Sequence, residues 1–438
     1  MKVIPAIELS TKEEINKFQE HKLKSMLRYV SLHSPHYRKI FENARIDVDL
    51  VRGLEGFHAI PTTTKDDFHT NNWDFLCVPR KKIVEYTSTS GTLGNPVTVA
   101  LTENDLQRLA YNECISFSCA DGSPDDVYQL MLTLDRQFMA GMAYYEGIRK
   151  LGAGLVRVGP GLPSLQWDII DRLKPTAIVA VPSFIVKLIE YAATQGIDVA
   201  KSSVRKAICI GESIRTHELE LNSLGKRIAD AWNITLYGTY ASTEMQTAFT
   251  ECGHGRGGHH HPELIYLELL DDNGKPMPMG LPGEITVTTF GVEAMPLLRY
   301  RTGDMAVAHQ DQCKCGRNTM RIGPVLGRKQ QMIKLKGTTI YPPGIFDVLN
   351  HVEHVQDYVV EVRTGQLGTD ELKLYLSVDP QQHDSVADVL RSVFQSKLRV
   401  VPSIVFLPSS EMDKLQINGK SRKPTKFIDL RIAEYRPL

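Results

Sequence analysis

The sequence predicts an α/β protein: a large N-terminal domain of layered sheets and helices, built from several subdomains, followed by a small, mobile α+β C-terminal domain. Three observations predict it. From about Tyr86 to Met245, strand-like runs alternate with helix-period segments. From Ile265 to Met305 the pattern is strand after strand, with turn punctuation such as Gly280-Leu281-Pro282-Gly283. Beyond the polar stretch Gly327-Arg328-Lys329-Gln330-Gln331, a compact unit reads helix, strand, strand, helix, strand.

Near the N-terminus Leu23, Met26, Leu27 and Val30 fall on one helix face, and Pro61-Thr62-Thr63-Thr64-Lys65-Asp66 supplies a turn and a helix start. The run Ala177-Ile178-Val179-Ala180-Val181 is strand-like, and Ile185, Leu188, Ile189 and Ala192 then repeat at i, i+3, i+4 and i+7. A second run, Ala207-Ile208-Cys209-Ile210, ends in Gly211-Glu212. A boundary at the polar stretch gives domains of residues 1–327 and 328–438. The second is expected to hold a helix near 343–350, strands near 357–363 and 371–378, a helix near 385–398 and a strand near 404–407.

Hydrophobic content of 42% and charged content of 23% are those of an ordinary globular chain of 438 residues. Lys plus Arg and Asp plus Glu are both 51, which argues against a nucleic-acid or membrane-surface binder. No apolar stretch is long enough to span a bilayer, and the opening MKVIPAIELS lacks a secretory pattern. Seven Cys is a sparse, odd count, unlike a disulfide framework. The expectation is a cytoplasmic protein with reduced thiols; a homodimer is left open.

The segment Tyr86-Thr87-Ser88-Thr89-Ser90-Gly91-Thr92-Leu93-Gly94-Asn95-Pro96 crowds hydroxyls and glycines as a phosphate-binding loop does, yet has no Walker ending. Alone it is equally readable as a surface turn. With it come Tyr240-Ala241-Ser242-Thr243-Glu244, then Arg299-Tyr300-Arg301-Thr302-Gly303-Asp304, Gly327-Arg328 and Asn418-Gly419-Lys420. In this order these motifs resemble the adenylate-forming superfamily of acyl-CoA synthetases. The N-terminal Ser34-Pro35-His36-Tyr37-Arg38 and Pro61 to Asp67 are most similar to phenylacetate-CoA ligases. Resemblance covers about residues 25 to 430.

The resemblance implies ATP-dependent activation of a carboxylic acid as acyl-AMP, then transfer to coenzyme A, with pyrophosphate and AMP released. Charge concentrates at the α-phosphate, so fixed cations and donors carry such chemistry. By resemblance, Thr87, Ser88, Thr89, Ser90, Gly91, Thr92 and Gly94 hold the β- and γ-phosphates. Gly211, Glu212, Tyr240, Ala241 and Ser242 line the nucleotide, with Tyr240 over the adenine. Thr243 donates to the α-phosphate, Glu244 holds Mg²⁺, Asp304 accepts the ribose hydroxyls and Arg328 reaches ribose or phosphate. Lys420 brings charge to the α-phosphate, with Lys426 as the alternative. Two departures stand out: Asn95 occupies a place where the family loop often has Lys, and Gln331 stands at the hinge position commonly Asp.

The residues themselves suggest a metal site. Cys313-Lys314-Cys315-Gly316 can present two thiolates, and Cys252 lies upstream of His259-His260-His261. Cys252, His259, Cys313 and Cys315 would close a tetrahedral Zn²⁺ site of the structural kind, with His260 as alternative to His259. Three unrelated thiols beside a His-rich loop is the competing reading, because the spacing is long. For the acid, an apolar pocket is expected from Phe138, Gly141, Tyr144 and Tyr237, with Gly141 and Ala143 leaving room for an aryl ring; ordinary core packing is the alternative for each. Two other functions remain: adenylation with a different acceptor, as in amide ligases or cofactor adenylyltransferases, or a non-catalytic binder on a decayed synthetase fold.

Overall fold

In the computed structural model, residues 3–89, 97–335, 338–364, 370–398, 401–416 and 425–431 are described. The chain divides into two compact units, the second beginning at Leu326. The predicted class is observed: layered α/β in the first unit and a small α+β arrangement in the second.

In the first unit, Thr11 and Glu14 form a capping box that starts the helix Lys12–His33. Its Leu23, Met26, Leu27 and Val30 are buried together with Tyr37 and Phe41 of the next helix, Pro35–Ala44. The hairpin Ile83–Ser88 with Thr98–Thr102 then leads directly into the long helix Glu103–Cys119.

One sheet organises the rest of this unit. Its parallel half runs in the order Gly154–Arg157, Val127–Leu130, Ala177–Ala180, Lys206–Cys209, Thr235–Ser242. Helices connect these strands, and Ala177–Ala180 is buried along its whole length, as a strand covered on both faces must be. On the helix Pro182–Thr194, Ile185, Leu188 and Ala192 are buried and Ile189 packs at their margin. The antiparallel half continues through Thr247–Glu251, Gly258–His259, Arg321–Ile322, Tyr300–His309, Pro282–Thr289 and Ile265–Leu270.

Thr235–Ser242 is where the sheet changes character. Residues 235–238 pair in parallel with Lys206–Cys209, whereas residues 239–242 pair antiparallel with 247–250. In open α/β sheets ligands gather beyond the carboxyl ends of parallel strands, and here both Gly211 and Tyr240 lie there.

The second unit carries a four-stranded sheet in the order Ser403–Phe406, Asp370–Ser377, Asp357–Thr364, Phe427–Asp429. The helices Pro342–His351 and His383–Val393 bury Ile345, Leu349, Val386 and Leu390 with Val360, Leu374 and Phe394. Gln416 O accepts from Thr425 N at 3.0 Å, so the two ends of the segment bearing Lys420 are tied together. No helix among the described residues is long and apolar enough to cross a membrane.

Candidate active site and metal centre

Tyr240 lies just past the change in the Thr235–Ser242 strand, and its hydroxyl donates to Asp304 Oδ2 at 2.9 Å. Asp304 follows Gly303, whose φ of 80° turns the chain, and its N–H donates to Thr302 Oγ1 at 3.1 Å. Burial first, then the Asp304 carboxylate, holds the Tyr240 phenol well above its usual pKa, so it stays a donor. Phe249 backs the ring at a centroid distance of 6.0 Å.

Four residues past Tyr240, the buried Glu244 pairs with Lys65 Nζ at 3.0 Å. Lys65 opens the helix Lys65–Thr70 behind a Thr64–Asp67 capping box. The preceding Thr63 is bonded to the strand that carries Asp304. Its N–H donates to Arg299 O (3.0 Å), its carbonyl accepts from Arg301 N (2.8 Å), and its hydroxyl donates to Leu298 O (3.0 Å). Arg299 itself is buried at φ 43°, held by Glu268 at 2.8 Å and by the carbonyls of His58 and Ile60. Nearby, Ser242 Oγ accepts from Met245 N at 3.3 Å and closes the turn, while Thr243 is half-buried and Ala241 exposed.

Several predicted site residues have structural work instead. The Thr87 hydroxyl donates to Val99 O at 3.2 Å and Thr89 Oγ1 accepts from Val97 N at 3.0 Å, so both hydroxyls stitch the hairpin. Ser88 donates to Thr89 O at 3.1 Å. Ser90, Gly91, Thr92 and Gly94 lie outside the described residues, as does Lys420. Glu212 accepts from Ser183 N (2.9 Å) and Ser183 Oγ (3.0 Å), capping the helix Pro182–Thr194. Gly211 has φ 72° at the strand end. Arg328 is half-buried in the second unit. In that unit Lys426 Nζ sits 4.4 Å from the Tyr358 ring centroid, engaged as a cation–π partner.

The expected aryl pocket is corrected more strongly. A Cβ on Gly141 would lie 2.0 Å from Thr133 O, so the missing side chain admits a neighbouring backbone and leaves no room for a ring. Tyr144 is buried against Phe117 at 5.7 Å, and the Tyr237 hydroxyl donates to Asp121 at 2.8 Å; both belong to one core cluster. Phe138 is half-buried at the start of the helix Met139–Leu151 and stays available.

The four metal-ligand candidates do meet. The donor atoms of Cys252, His259, Cys313 and Cys315 all lie within 4.8 Å of one another. Cys252 Sγ and Cys313 Sγ are 3.6 Å apart, and Cys315 Sγ is 3.5 Å from His259 Nε2. A tetrahedral ion with bonds of about 2.3 Å to sulfur and 2.0 Å to nitrogen has edges of about 3.5–3.8 Å, so the set fits zinc. Thr319 Oγ1, 3.1 Å from His259 Nδ1, orients Nε2 toward the thiols. Burial lowers the His259 pKa, leaving the neutral imidazole a ligand requires. Cys315 is held well below the usual thiol range, first by the Cys252 thiol and also by His259. His260 is elsewhere: its Nε2 faces Ile265 O at 3.0 Å and Gln19 at 3.2 Å.

Around this cluster lies a network that sequence reasoning missed. Arg317 Nη1 is 3.6 Å from Cys315 Sγ, and its Nε donates to Glu8 Oε2 at 2.6 Å. Glu8, wholly buried, also meets His261 Nδ1 at 2.6 Å. Burial raises the Glu8 carboxyl, yet His261 and Arg317 overcome it and the net shift is downward. Asn318 N donates to Glu8 O at 2.8 Å, and Asn318 Nδ2 reaches the carbonyls of Leu9 and Ser10. The only sequence signal was that Arg317 follows the C-x-C-G turn. Lys65 was visible only as part of a helix start.

A family described as AMP-binding enzyme matches residues 77–294. The phenylacetate-coenzyme A ligase of Thermus thermophilus is 31% identical over 384 residues, covering 85% of this chain and 84% of that protein. The chain belongs to the phenylacetate-coenzyme A ligase family. The family's Escherichia coli member is 27% identical over 442 residues, 97% of each chain. In fold, the chain resembles 2-hydroxyisobutyryl-CoA ligase in its postadenylation state, with a TM-score of 0.83 at 23% identity, covering 98% and 92% of the two chains. The same ligase in its thioesterification state, with 2-HIB-AMP and CoA, gives a TM-score of 0.70.

Proposed function

We propose that this AMP-forming ligase activates phenylacetate or a closely related aryl acid with ATP and passes the acyl group to coenzyme A. The observation that carries it is the Tyr240–Asp304 bond beside Glu244, on the strand Thr235–Ser242 where the sheet changes from parallel to antiparallel, in a chain of this family. Tyr240 directs one oxygen of Asp304, leaving the carboxylate to accept ribose hydroxyls, while the ring covers adenine. Thr243, Ser88, Ser90, Gly91, Thr92 and Gly94 are the proposed phosphate donors, and Gly211, Ala241 and Ser242 line the nucleotide by backbone. Glu244 would hold Mg²⁺, a hard cation that neutralises phosphate charge. Arg328 and Lys420 are further proposed contacts of the nucleotide, Lys420 for the adenylation step. Phe138 is the proposed aryl contact.

Zinc held by Cys252, His259, Cys313 and Cys315 would be structural, since four protein ligands leave no open position for chemistry. The assay is pyrophosphate release across a panel of carboxylic acids, with and without coenzyme A. Phenylacetate should exceed acetate and palmitate, and acyl-CoA should appear only with coenzyme A. Faster turnover of palmitate or acetate per unit concentration refutes the aryl assignment, and product formed on an amine instead refutes the acceptor.

A further inference from the structure

We propose that Lys65 is a phosphate-binding residue of the nucleotide site: it rests on Glu244 when no nucleotide is bound and turns to the outer phosphates of ATP when a divalent cation takes its place on that carboxylate. The proposal rests on the nucleotide-site reading above.

Charge balance is the first argument. Glu244 has a side chain only 10% exposed, and Lys65 Nζ lies 3.0 Å from it. Taking the cationic partner from a nearly buried ion pair is strongly destabilising unless another cation replaces it. The ammonium supplies that charge before the metal does, and an arriving divalent ion repels it. The flexible four-carbon stem of lysine, itself a third exposed, then lets the charge swing to the nearest anion.

Placement is the second argument. The three Thr63 bonds to residues 298, 299 and 301 fix the start of the Lys65 segment beside the strand that carries Asp304, the proposed ribose acceptor. The Thr64–Asp67 box prevents the turn from unwinding. The base of the lysine is therefore rigid relative to the nucleotide, while its tip is free to move. Composition is the third argument: Asn95 leaves the phosphate loop without a lysine. A cation from another segment restores the charge that the triphosphate requires.

The test is equilibrium titration of the full chain with ATP and with AMP, in Mg²⁺ and without any carboxylic acid, so that no acyl-AMP forms. Lys65→Met should weaken ATP binding about tenfold or more, the effect of one charged contact, and leave AMP binding within about twofold, because AMP lacks the outer phosphates. Lys65→Arg should keep most of the ATP affinity. Unchanged ATP affinity in Lys65→Met overturns the proposal. So does an equal loss for ATP and AMP, which is what a merely structural ion pair gives. Asp304→Ala should lose both nucleotides. If it binds both like the parent, the nucleotide-site reading itself is wrong, and the proposal falls with it.

Discussion

Replacing Gly141 with alanine separates a packing glycine from a substrate-facing one. The added Cβ would lie 2.0 Å from Thr133 O, 3.0 Å from its carbonyl carbon and 3.1 Å from Leu134 Cα. An ordinary carbon–oxygen contact is about 3.3–3.6 Å, so the helix Met139–Leu151 would have to retreat by more than about 1 Å. It has little freedom to do so, because on the same helix a Cβ at Gly147 would come within 2.2 Å of Glu113 Cβ. Overpacking costs about 1–3 kcal/mol, and the upper end applies where the obstacle is backbone that no rotamer change relieves. At about 2.1 cal/mol/K per residue, a unit of about 300 residues unfolds with about 0.6 kcal/mol/K, so about 3 kcal/mol lowers Tm by about 5 °C. Gly56→Ala is the control, its Cβ meeting only Val51 at 3.5 Å and gaining helix propensity. Thermal unfolding should show loss for the first and none for the second. Gly141→Ala with parental stability and a preference shifted to smaller acids would refute the packing argument and return Gly141 to the substrate pocket.

Three further outcomes are expected. Metal analysis of protein purified without chelators should give about one zinc per chain, and Cys313→Ser should lower unfolding temperature far more than it lowers turnover of the folded fraction; no metal, or no change in stability, contradicts the site. Burial pushes the Glu113 carboxyl up to about 8, against 4.5 normally, with Asn112 Nδ2 donating to it at 2.9 Å. Between those values the folded chain holds a proton the unfolded chain has lost, so stability falls as pH rises, by a few kcal/mol once pH passes about 8. Glu113→Gln should therefore gain little near pH 5 and most near pH 8 in unfolding titrations; an equal gain at both excludes the buried acid. Lys420→Ala should abolish acyl-AMP formation yet still make thioester from supplied acyl-AMP and coenzyme A, and equal loss in both half-reactions argues against a lysine used for one step.

Motifs were legible where chemistry demands particular residue types in order, and pocket walls were not. The cluster of Cys252, His259, Cys313 and Cys315 could be read because sulfur and imidazole are rare and metals want them together. Tyr240 and Asp304 could each be picked out because each sits in a dense motif, though the bond between them could not. Gly141, Tyr144 and Tyr237 misled because small and aromatic residues look alike whether they line a pocket or fill a core; only the carbonyl of Thr133 and the carboxylate of Asp121 decide. At Thr87 and Thr89 the hairpin bonds were not legible, since a hydroxyl that can meet phosphate also serves a hairpin's backbone. Arg108 shows the limit: it is buried and bonds Phe290 O, Gln246 O and Leu264 O, a staple of three distant carbonyls that no local pattern announces.

The Glu8–Arg317 bond joins residues 309 positions apart, and it lies against the sulfur cluster. On a ribosome adding about 5–20 residues per second, Glu8 waits roughly a quarter of a minute to a minute before Arg317 exists at all. The histidine partner of the Ala6–Leu9 segment comes 253 residues after Glu8 and the arginine later still, while Cys252 waits 61 residues for Cys313. Closure of the first unit is thus a late event of synthesis. The ion that gathers the thiols would arrive with it and act as a clasp, turning the last third of the unit back onto its opening segment.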